Sequence, residues 1–262
     1  MIDPRAVVDP GARIDEGVSI GAFSVIGPDV KIGRGTWIGP HVVISGDTTL
    51  GEDCQIFQFA SLGEAPQDIG YRGEPTRLEV GDRNIIREFT TLSRGTPKGG
   101  GCTRVGSDNL IMAYVHIAHD CEVGNHVVFS NAASLAGHCH VGDRAILGGF
   151  TLVHQFCRVG TQAFTSMGAA LNRDLPPYCL ATGNYARAVG INKVGLKRRG
   201  VSTETVRALH QAFKLLVRGR DRAQGLKAVE PLARIHPEVA EFVDFIQNSQ
   251  RGIIRSGRRS EN

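Results

Sequence analysis

Histidine and aspartate side chains that could carry out acid–base chemistry are concentrated between residues 116 and 155. His119 is followed directly by Asp120, and histidine can act as a general base near neutral pH when an adjacent carboxylate orients it. A backbone N–H, such as that of Gly137, can stabilise an oxyanion. Further polar side chains are expected along the same edge of the molecule, at His116, Asn131, His138, His154 and Gln155.

These residue types leave three interpretations open. They form a catalytic centre with His119 as its base, or three or four of the histidines bind zinc, or all of them are ordinary surface residues of a scaffold. Stoichiometric zinc and loss of activity with a chelator would favour the zinc-dependent enzyme. Tolerance of His119→Ala would favour the non-catalytic scaffold.

A six-residue repeat predicts the elements that position these side chains. A large apolar residue recurs at every sixth position from Ile2 to Leu62, and the pattern continues from Val105 to Val159 with its phase shifted by one. A glycine commonly follows, and we expect it to permit turn conformations that a Cβ would hinder. Three repeats then form a triangular coil, and coils stacked about 4.8 Å apart make a parallel β-helix. With 33 glycines and only 6% aromatic residues, the composition suits such a lattice.

The coil of three repeats also decides which side chains are neighbours. It brings Gly137 one coil above His119, and His138 one coil above Asp120. A column of reduced cysteines in the core is expected from the same spacing, at Cys121, Cys139 and Cys157.

The predicted fold is mainly β, with the β-helix at residues 1–190 and an α-helical C-terminal domain at 191–262. Looped excursions are expected at about 67–79 and 97–104, the first because charged residues fall at its apolar repeat positions. The helical segments expected in the C-terminal domain are one capped by Ser202, one over 226–233 and one over 237–249, before a frayed SGRRSEN tail.

Charge is distributed unevenly along the chain. Residues 1–190 carry 15 Lys and Arg against 19 Asp and Glu, whereas residues 191–262 carry 15 against 7. The basic region either suits an acidic partner, for which nucleic acid, an acidic protein and a phosphorylated ligand are candidates, or is a solvated helical face without a partner. The sequence has neither a secretory signal nor an apolar run of about eighteen residues, so we expect a cytoplasmic protein without a membrane span.

Several segments are more specific than the repeat. They are GEPTR (73–77), GSDNLIM (106–112), HIAHDC (116–121), SLAGH (134–138), VHQFC (153–157), DLPPY (174–178) and GLKRRG (195–200). In this order and spacing they closely resemble the UDP-N-acetylglucosamine O-acyltransferases of lipid A biosynthesis, a hexapeptide-repeat family. The similarity covers nearly the whole chain.

The resemblance implies a left-handed β-helix and a cytoplasmic homotrimer with active sites in clefts between neighbouring β-helices. Members of the family move an (R)-3-hydroxyacyl chain from acyl carrier protein to the 3-hydroxyl of UDP-N-acetylglucosamine. The acyl chain is carried on phosphopantetheine, and neither a further cofactor nor a metal is implied. Acyl carrier protein is acidic, which makes it, rather than nucleic acid, the expected partner of the basic region.

The resemblance also assigns roles to residues. His119 matches the catalytic base, Asp120 its supporting carboxylate and Gly137 the oxyanion donor. Substrate-binding positions are matched by Gln67, Asp68, His116, His138, His154, Gln155, Asn192, Arg198 and Arg199. Met167 matches the position that limits the acyl tunnel, so we predict a medium donor near 3-hydroxydecanoyl.

Three residues depart from the family pattern, all on the nucleotide side. Gly70 stands where many members have lysine, for which Arg72 is a possible substitute, Ser93 replaces a frequent histidine, and Val194 replaces a frequent glutamate. These departures leave open an alternative acceptor, a 3-amino UDP-sugar, whose acylation would give an amide.

Overall fold

The computed structural model describes residues 1–219 and 221–256. Within these residues, the chain winds through three sheets in which each strand pairs with the strand three further along. Val7 pairs in parallel with Val25, and Val25 with Val43, so one coil comprises 18 residues. The predicted left-handed parallel β-helix of hexapeptide repeats, followed by helices, is confirmed. The predicted frayed tail lies outside the described residues, except for Ser256.

Each coil passes in turn through faces A, B and C, which meet at the A–B, B–C and C–A corners. The strands of face A are Ser19–Ile20, Trp37–Ile38, Gln55–Ile56, Ile85–Ile86, Leu110–Ile111, Val128–Phe129, Ile146–Leu147, Phe164–Thr165, Cys179–Thr182 and Arg187–Ile191, the last two antiparallel. Face B contains Val7–Val8, Val25–Ile26, Val43–Ile44, Ser61–Glu64, Thr91–Ser93, His116–Ile117, Ser134–Leu135, Leu152–Val153 and Ala170–Leu171. Face C contains Arg13–Ile14, Lys31–Ile32, Asp47–Leu50, Arg77–Val80, Cys102–Val105, Glu122–Val123, His140–Val141 and Arg158–Val159.

The apolar repeat residue is the inward residue of each short strand. Ile26, Ile44 and Phe129 are fully buried in this way, and each buried side chain of this size contributes about 1.5–3 kcal/mol through the hydrophobic effect. All six cysteines are free and buried, as predicted for the column at residues 121, 139 and 157. A narrow interior filled by small and aliphatic side chains explains the low aromatic content.

The role predicted for the repeat glycines holds at Gly63 (φ +78°) and is wrong at the others. The left-handed backbone conformation occurs two residues later, at non-glycine corner residues such as Phe23 (φ +61°) and Asp120 (φ +59°). The repeat glycines instead allow the coils to stack closely. A Cβ on Gly21 would lie 2.6 Å from the nitrogen of Pro40, and one on Gly33 would lie 2.6 Å from the carbonyl carbon of Gly51.

Adding a single methyl group to this stacking surface is expected to destabilise the β-helix. Gly33→Ala would place its Cβ against the backbone of the next coil, and overpacking of this kind costs about 1–3 kcal/mol. We expect a lower unfolding temperature in a thermal melt. Gly190→Ala is the matched control, because the space around Gly190 is open. Equal unfolding temperatures for the two variants would contradict the stacking role.

Both looped excursions leave the β-helix at the B–C corner, between a strand of face B and a strand of face C. They end earlier than predicted, because strands begin at Arg77 and Cys102. Leu78 is buried and fills the coil interior, which draws residues 77–79 back into the sheet. The first excursion therefore ends at residue 76 and the second at residue 101.

Helices follow the last strand, which ends at Ile191. They are α1 (Lys193–Arg198), α2 (Thr203–Phe213, extended by a π-helical turn at Lys214–Arg218), α3 (Arg222–Ile235) and α4 (Pro237–Gln247). The Ser202 hydroxyl accepts a hydrogen bond from the Thr205 N–H and caps α2, as predicted. Helix α3 is longer than predicted, and α4 ends two residues earlier. After α4 the chain returns to the β-helix, where Ile253 pairs with Asp174. None of the helices in the described part of the chain is long and apolar enough to cross a membrane.

Candidate active site

The catalytic pair predicted from the sequence lies where face B ends at the B–C corner. His119 Nδ1 is 2.8 Å from Asp120 Oδ2, and the Asp120 side chain is only 1% exposed while that of His119 is 13% exposed. In the neutral imidazole, a carboxylate that accepts from Nδ1–H selects the tautomer whose free lone pair is on Nε2. The pair therefore presents a basic nitrogen that a ligand could reach.

Asp120 is held by residues that the sequence analysis missed. The Thr96 N–H donates to Oδ1 at 2.7 Å, and the Thr96 hydroxyl donates to Oδ2 at 2.6 Å. The Asp120 N–H donates to the Thr103 hydroxyl at 2.8 Å. One feature of the sequence could have indicated the contact with Thr96. The second excursion, which contains Thr96, leaves the β-helix at the same corner one coil before His119.

Gly137 lies beside the imidazole of His119, as the coil spacing predicted. A Cβ at this position would lie 2.5 Å from His119 Cε1, so a larger residue would displace the ring. Within the described residues, the Gly137 N–H has no hydrogen-bond acceptor. A free N–H beside the base is available to a developing oxyanion.

A cavity of about 670 Å³ brings together six of the predicted site residues. They are Gln67, His116, His119, Gly137, His154 and Gln155. Leu152 and Tyr185 also line it and add apolar surface. A cavity with convergent polar groups and an apolar wall is typical of a small-molecule site. A larger groove of about 830 Å³ on face C contains none of the predicted residues.

His116 and His138 flank the pair. Thr91 Oγ1 lies 2.7 Å from His116 Nδ1, and the ring of His138 meets that of His119 edge to face at 5.1 Å. Burial lowers the pKa of His116, and the neighbouring His119 lowers it further. Burial also lowers the pKa of His138, although Asp120 opposes this effect. Both imidazoles are therefore suited to act as neutral hydrogen-bonding groups near neutral pH.

The zinc interpretation can be tested against the donor atoms. Ligand atoms of His119, Asp120 and His138 all lie within 4.8 Å of one another. The Asp120 carboxylate, however, already accepts hydrogen bonds from Thr96 and from His119. A metal would have to displace these donors, so this arrangement fits an orienting carboxylate better than a metal ligand.

Comparisons with known proteins decide the family. A family model described as Udp N-acetylglucosamine O-acyltransferase, domain 2, matches residues 174–254, and a bacterial transferase hexapeptide model matches residues 29–60 and 102–137. A Halorhodospira halophila protein named acyl-[acyl-carrier-protein]–UDP-N-acetylglucosamine O-acyltransferase is 55% identical over 260 residues, covering 97% of this chain and 99% of that protein. A Herminiimonas arsenicoxydans protein of the same name is 51% identical with the same coverage. The chain belongs to this family.

Solved structures of UDP-N-acetylglucosamine O-acyltransferases share the fold. The enzyme of Francisella novicida has a TM-score of 0.95 and 41% identity, covering 98% of this chain and 95% of that one. A structure named LpxA from Acinetobacter baumannii has a TM-score of 0.95 and 42% identity, covering 97% and 99%. The coverage shows that the similarity includes the C-terminal helices.

Some residues that the family resemblance assigned to the site lie elsewhere in the single chain. Asn192 Nδ2 donates to the Gln162 carbonyl, and the Arg199 guanidinium donates to the Arg144 carbonyl, both at the C–A corner. Arg198 ends α1 beside them. These three residues therefore lie at a different corner from the cavity that contains His119.

Two further residues lie at the A–B corner. Met167 is 77% exposed there and does not line the His119 cavity. The prediction that Asn131 shares an edge with His119 is wrong. Residues lie on one edge when they are whole coils of 18 residues apart, and Asn131 follows His119 by only two-thirds of a coil. At the A–B corner, the Asn131 carbonyl accepts a hydrogen bond from the Phe150 N–H.

The structure shows what surrounds the three residues that depart from the family pattern, and what surrounds Arg72, the possible substitute for the missing lysine. Arg72 donates to the carbonyls of Ile69 and Tyr71, so its guanidinium is engaged within the first excursion. Lys98 Nζ, from the second excursion, lies 3.4 Å from the point where a Cβ on Gly70 would be. An ammonium group thus occupies the space next to Gly70. Ser93 is buried, and Val194 is exposed.

Proposed function

We propose that this protein transfers an (R)-3-hydroxyacyl chain from the phosphopantetheine of acyl carrier protein to the 3-hydroxyl of UDP-N-acetylglucosamine, as a cytoplasmic homotrimer. The observation that carries the proposal is the His119–Asp120 pair beside the free Gly137 N–H, in one cavity of a member of this acyltransferase family. Relatives at 51% to 55% identity bear the name of this activity.

The proposed mechanism follows from the hydrogen bonds of the pair. Nδ1–H is committed to Asp120, so Nε2 removes the proton from the sugar 3-hydroxyl as that oxygen attacks the thioester carbonyl. The Gly137 N–H stabilises the oxyanion. The C–S bond then breaks, and the imidazolium returns its proton to the departing thiolate. The products are the 3-O-acyl sugar and the free phosphopantetheine thiol.

We propose that the complete site needs two copies of the chain. The cavity at face B lacks Asn192, Arg198 and Arg199, which lie at the C–A corner and include two basic side chains. In a trimer whose copies meet at the A–B corner, face B of one copy lies opposite face A of the next. The C–A corner of the neighbour then approaches the open side of the cavity.

The A–B corner has the surface that such a trimer needs. Five rings stack along it with centroids 4.8–5.3 Å apart, in the order Phe23, His41, Phe59, Phe89 and Tyr114. We call these five residues the aromatic ladder. Its phenylalanine and tyrosine residues are between 44% and 60% exposed. Contiguous exposed apolar surface of this kind marks an interaction site, and a copy of the same surface would match it.

The acyl-chain prediction can be tested through Met167. We expect best activity with a donor near 3-hydroxydecanoyl, and a shift toward longer chains in Met167→Gly because the smaller residue extends the tunnel. A panel of (R)-3-hydroxyacyl carrier protein thioesters measures this preference. Met112→Gly is the matched control, because Met112 follows another face A strand at the same corner and should leave the preference unchanged. Best wild-type activity with 3-hydroxytetradecanoyl would contradict the prediction.

The proposed function is tested by assaying defined carrier protein thioesters against two acceptors, UDP-N-acetylglucosamine and its 3-amino analogue. We expect transfer to the 3-hydroxyl sugar. The departures at Gly70, Ser93 and Val194 are the reason for including the amine, because the family resemblance assigns them to the side that binds the sugar nucleotide. Exclusive use of the amine would replace O-acylation with N-acylation, and no transfer to either would overturn the proposal.

A further inference from the structure

We infer that Thr96 is a positioning residue for the His119–Asp120 pair. Its backbone N–H and its hydroxyl donate hydrogen bonds to the Asp120 carboxylate and fix its orientation. The carboxylate in turn orients His119, and the Thr96 hydroxyl prevents it from accepting a hydrogen bond from His138. The inference rests on the proposed function where it concerns catalysis, and on geometry alone where it concerns the hydrogen bonds.

The Asp120 carboxylate is bonded on both oxygens and shielded from water. Thr96 supplies one donor to each oxygen, at 2.7 Å to Oδ1 and 2.6 Å to Oδ2, and His119 Nδ1 reaches Oδ2 at 2.8 Å. Thr96 and Asp120 are both buried. Hydrogen bonds to an ionised group in such a site are short and strong. Because the site is closed to solvent and valine has the shape of threonine, Thr96→Val leaves no space for a water to replace the hydroxyl.

A second histidine is close enough to compete for the same oxygen. His138 Nε2 lies 3.7 Å from Asp120 Oδ2, just beyond hydrogen-bonding distance. A carboxylate oxygen has two lone-pair directions, and on Oδ2 the Thr96 hydroxyl and His119 occupy both. The ring of His138 remains stacked on Phe156 at 4.5 Å instead. The Thr96 hydroxyl therefore occupies the position on Oδ2 that a hydrogen bond from His138 would need.

The second excursion is shaped to deliver this threonine. After Thr96 the chain makes a single 3-10 turn, Pro97–Gly99, and the Thr96 carbonyl accepts from the Gly101 N–H at 2.8 Å. A Cβ on Gly99 would overlap the Asp120 carboxylate, so the turn passes directly over it. The excursion thus closes the buried side of the catalytic pair and leaves the cavity side open.

The first arm of the test compares Thr96→Val with Thr96→Ser in the full chain. Valine has the shape of threonine but no hydroxyl, whereas serine keeps the hydroxyl. We expect Thr96→Val to lower kcat about 10–100-fold, because a hydrogen bond to a charged group is lost, with an unchanged KM for UDP-N-acetylglucosamine. Thr96→Ser is expected to retain activity close to the wild type. An unchanged kcat in Thr96→Val would overturn the inference.

The second arm needs no substrate. In the NMR spectrum of the protein, the His119 Nδ1–H proton is expected to be protected and shifted downfield in the wild type and in Thr96→Ser, and to be lost by exchange in Thr96→Val. His119→Gln assigns the signal. Retention of the signal in Thr96→Val would overturn the inference, even where kcat falls. If the wild type transfers no acyl chain, the proposed function fails, and this signal alone decides the role of Thr96. Thr96→Ala provides the same comparison if the valine variant does not fold.

Discussion

His119→Ala is expected to lower kcat for acyl transfer by about 10²–10⁴-fold, because this is the usual contribution of a positioned general base. The fold should remain intact, since the imidazole is at the wall of a cavity and not in the coil interior. The measurement is kcat with UDP-N-acetylglucosamine and an (R)-3-hydroxyacyl carrier protein thioester. A thermal melt of the same sample reports on the fold.

His140→Ala is the matched control for this experiment. His140 also lies in the β-helix, one coil after Glu122, but in a strand of face C, where it is half exposed and pairs with Glu122. We expect wild-type kcat for this variant. Wild-type kcat in His119→Ala as well would exclude His119 as the base and favour the scaffold interpretation. Bound zinc at one equivalent, with activity lost to a chelator, would favour the zinc-dependent enzyme.

Phe89→Glu is expected to dissociate the trimer and to abolish acyl transfer. Phe89 stacks between Phe59 and Tyr114 in the aromatic ladder. A carboxylate there would be buried near its copies in a three-fold assembly, and a buried charge without a partner is costly. Loss of activity follows because the cavity and the arginines at 198 and 199 lie at different corners of one chain. Light scattering after gel filtration gives the mass, and the acyl-transfer assay gives kcat.

Ile235→Glu is the corresponding control. Ile235 is an exposed apolar residue at the end of α3, outside the aromatic ladder. The introduced charge is the same, and we expect a trimer with full activity. A trimeric Phe89→Glu variant would contradict the interface at the A–B corner. A monomeric variant that retains wild-type kcat would contradict the shared site.

The sequence predicted the relations that depend on the coil period. The proximity of Gly137 to His119 and of His138 to Asp120 follows from an 18-residue spacing, and the structure contains both. The same counting excludes Asn131, which is two-thirds of a coil from His119. The prediction for the repeat glycines considered only the local conformation of the turn. What requires glycine at these positions is the close approach of the neighbouring coil, which is a tertiary contact.

Residues outside the repeat could not be predicted in the same way. Thr96 belongs to an excursion whose path does not follow the period, so its contacts with Asp120 were not predictable from spacing. The sequence also did not predict that Asn192 and Arg199 lie away from the cavity. The family resemblance assigns these residues to the site, but it does not say which copy of the chain supplies them.

The two excursions share one corner of the β-helix, and both contribute residues to the same site. Both interrupt the same corner, and the strands on either side resume their pairing, with Asp47 opposite Arg77 and Arg77 opposite Cys102. Insertions at this corner therefore leave the coil lattice undisturbed. The first excursion supplies Gln67 to the cavity wall, and its Tyr71 hydroxyl accepts a hydrogen bond from the Arg94 guanidinium of the second excursion. The second excursion supplies the threonine that holds the buried carboxylate. A change in either excursion is therefore expected to reach the site.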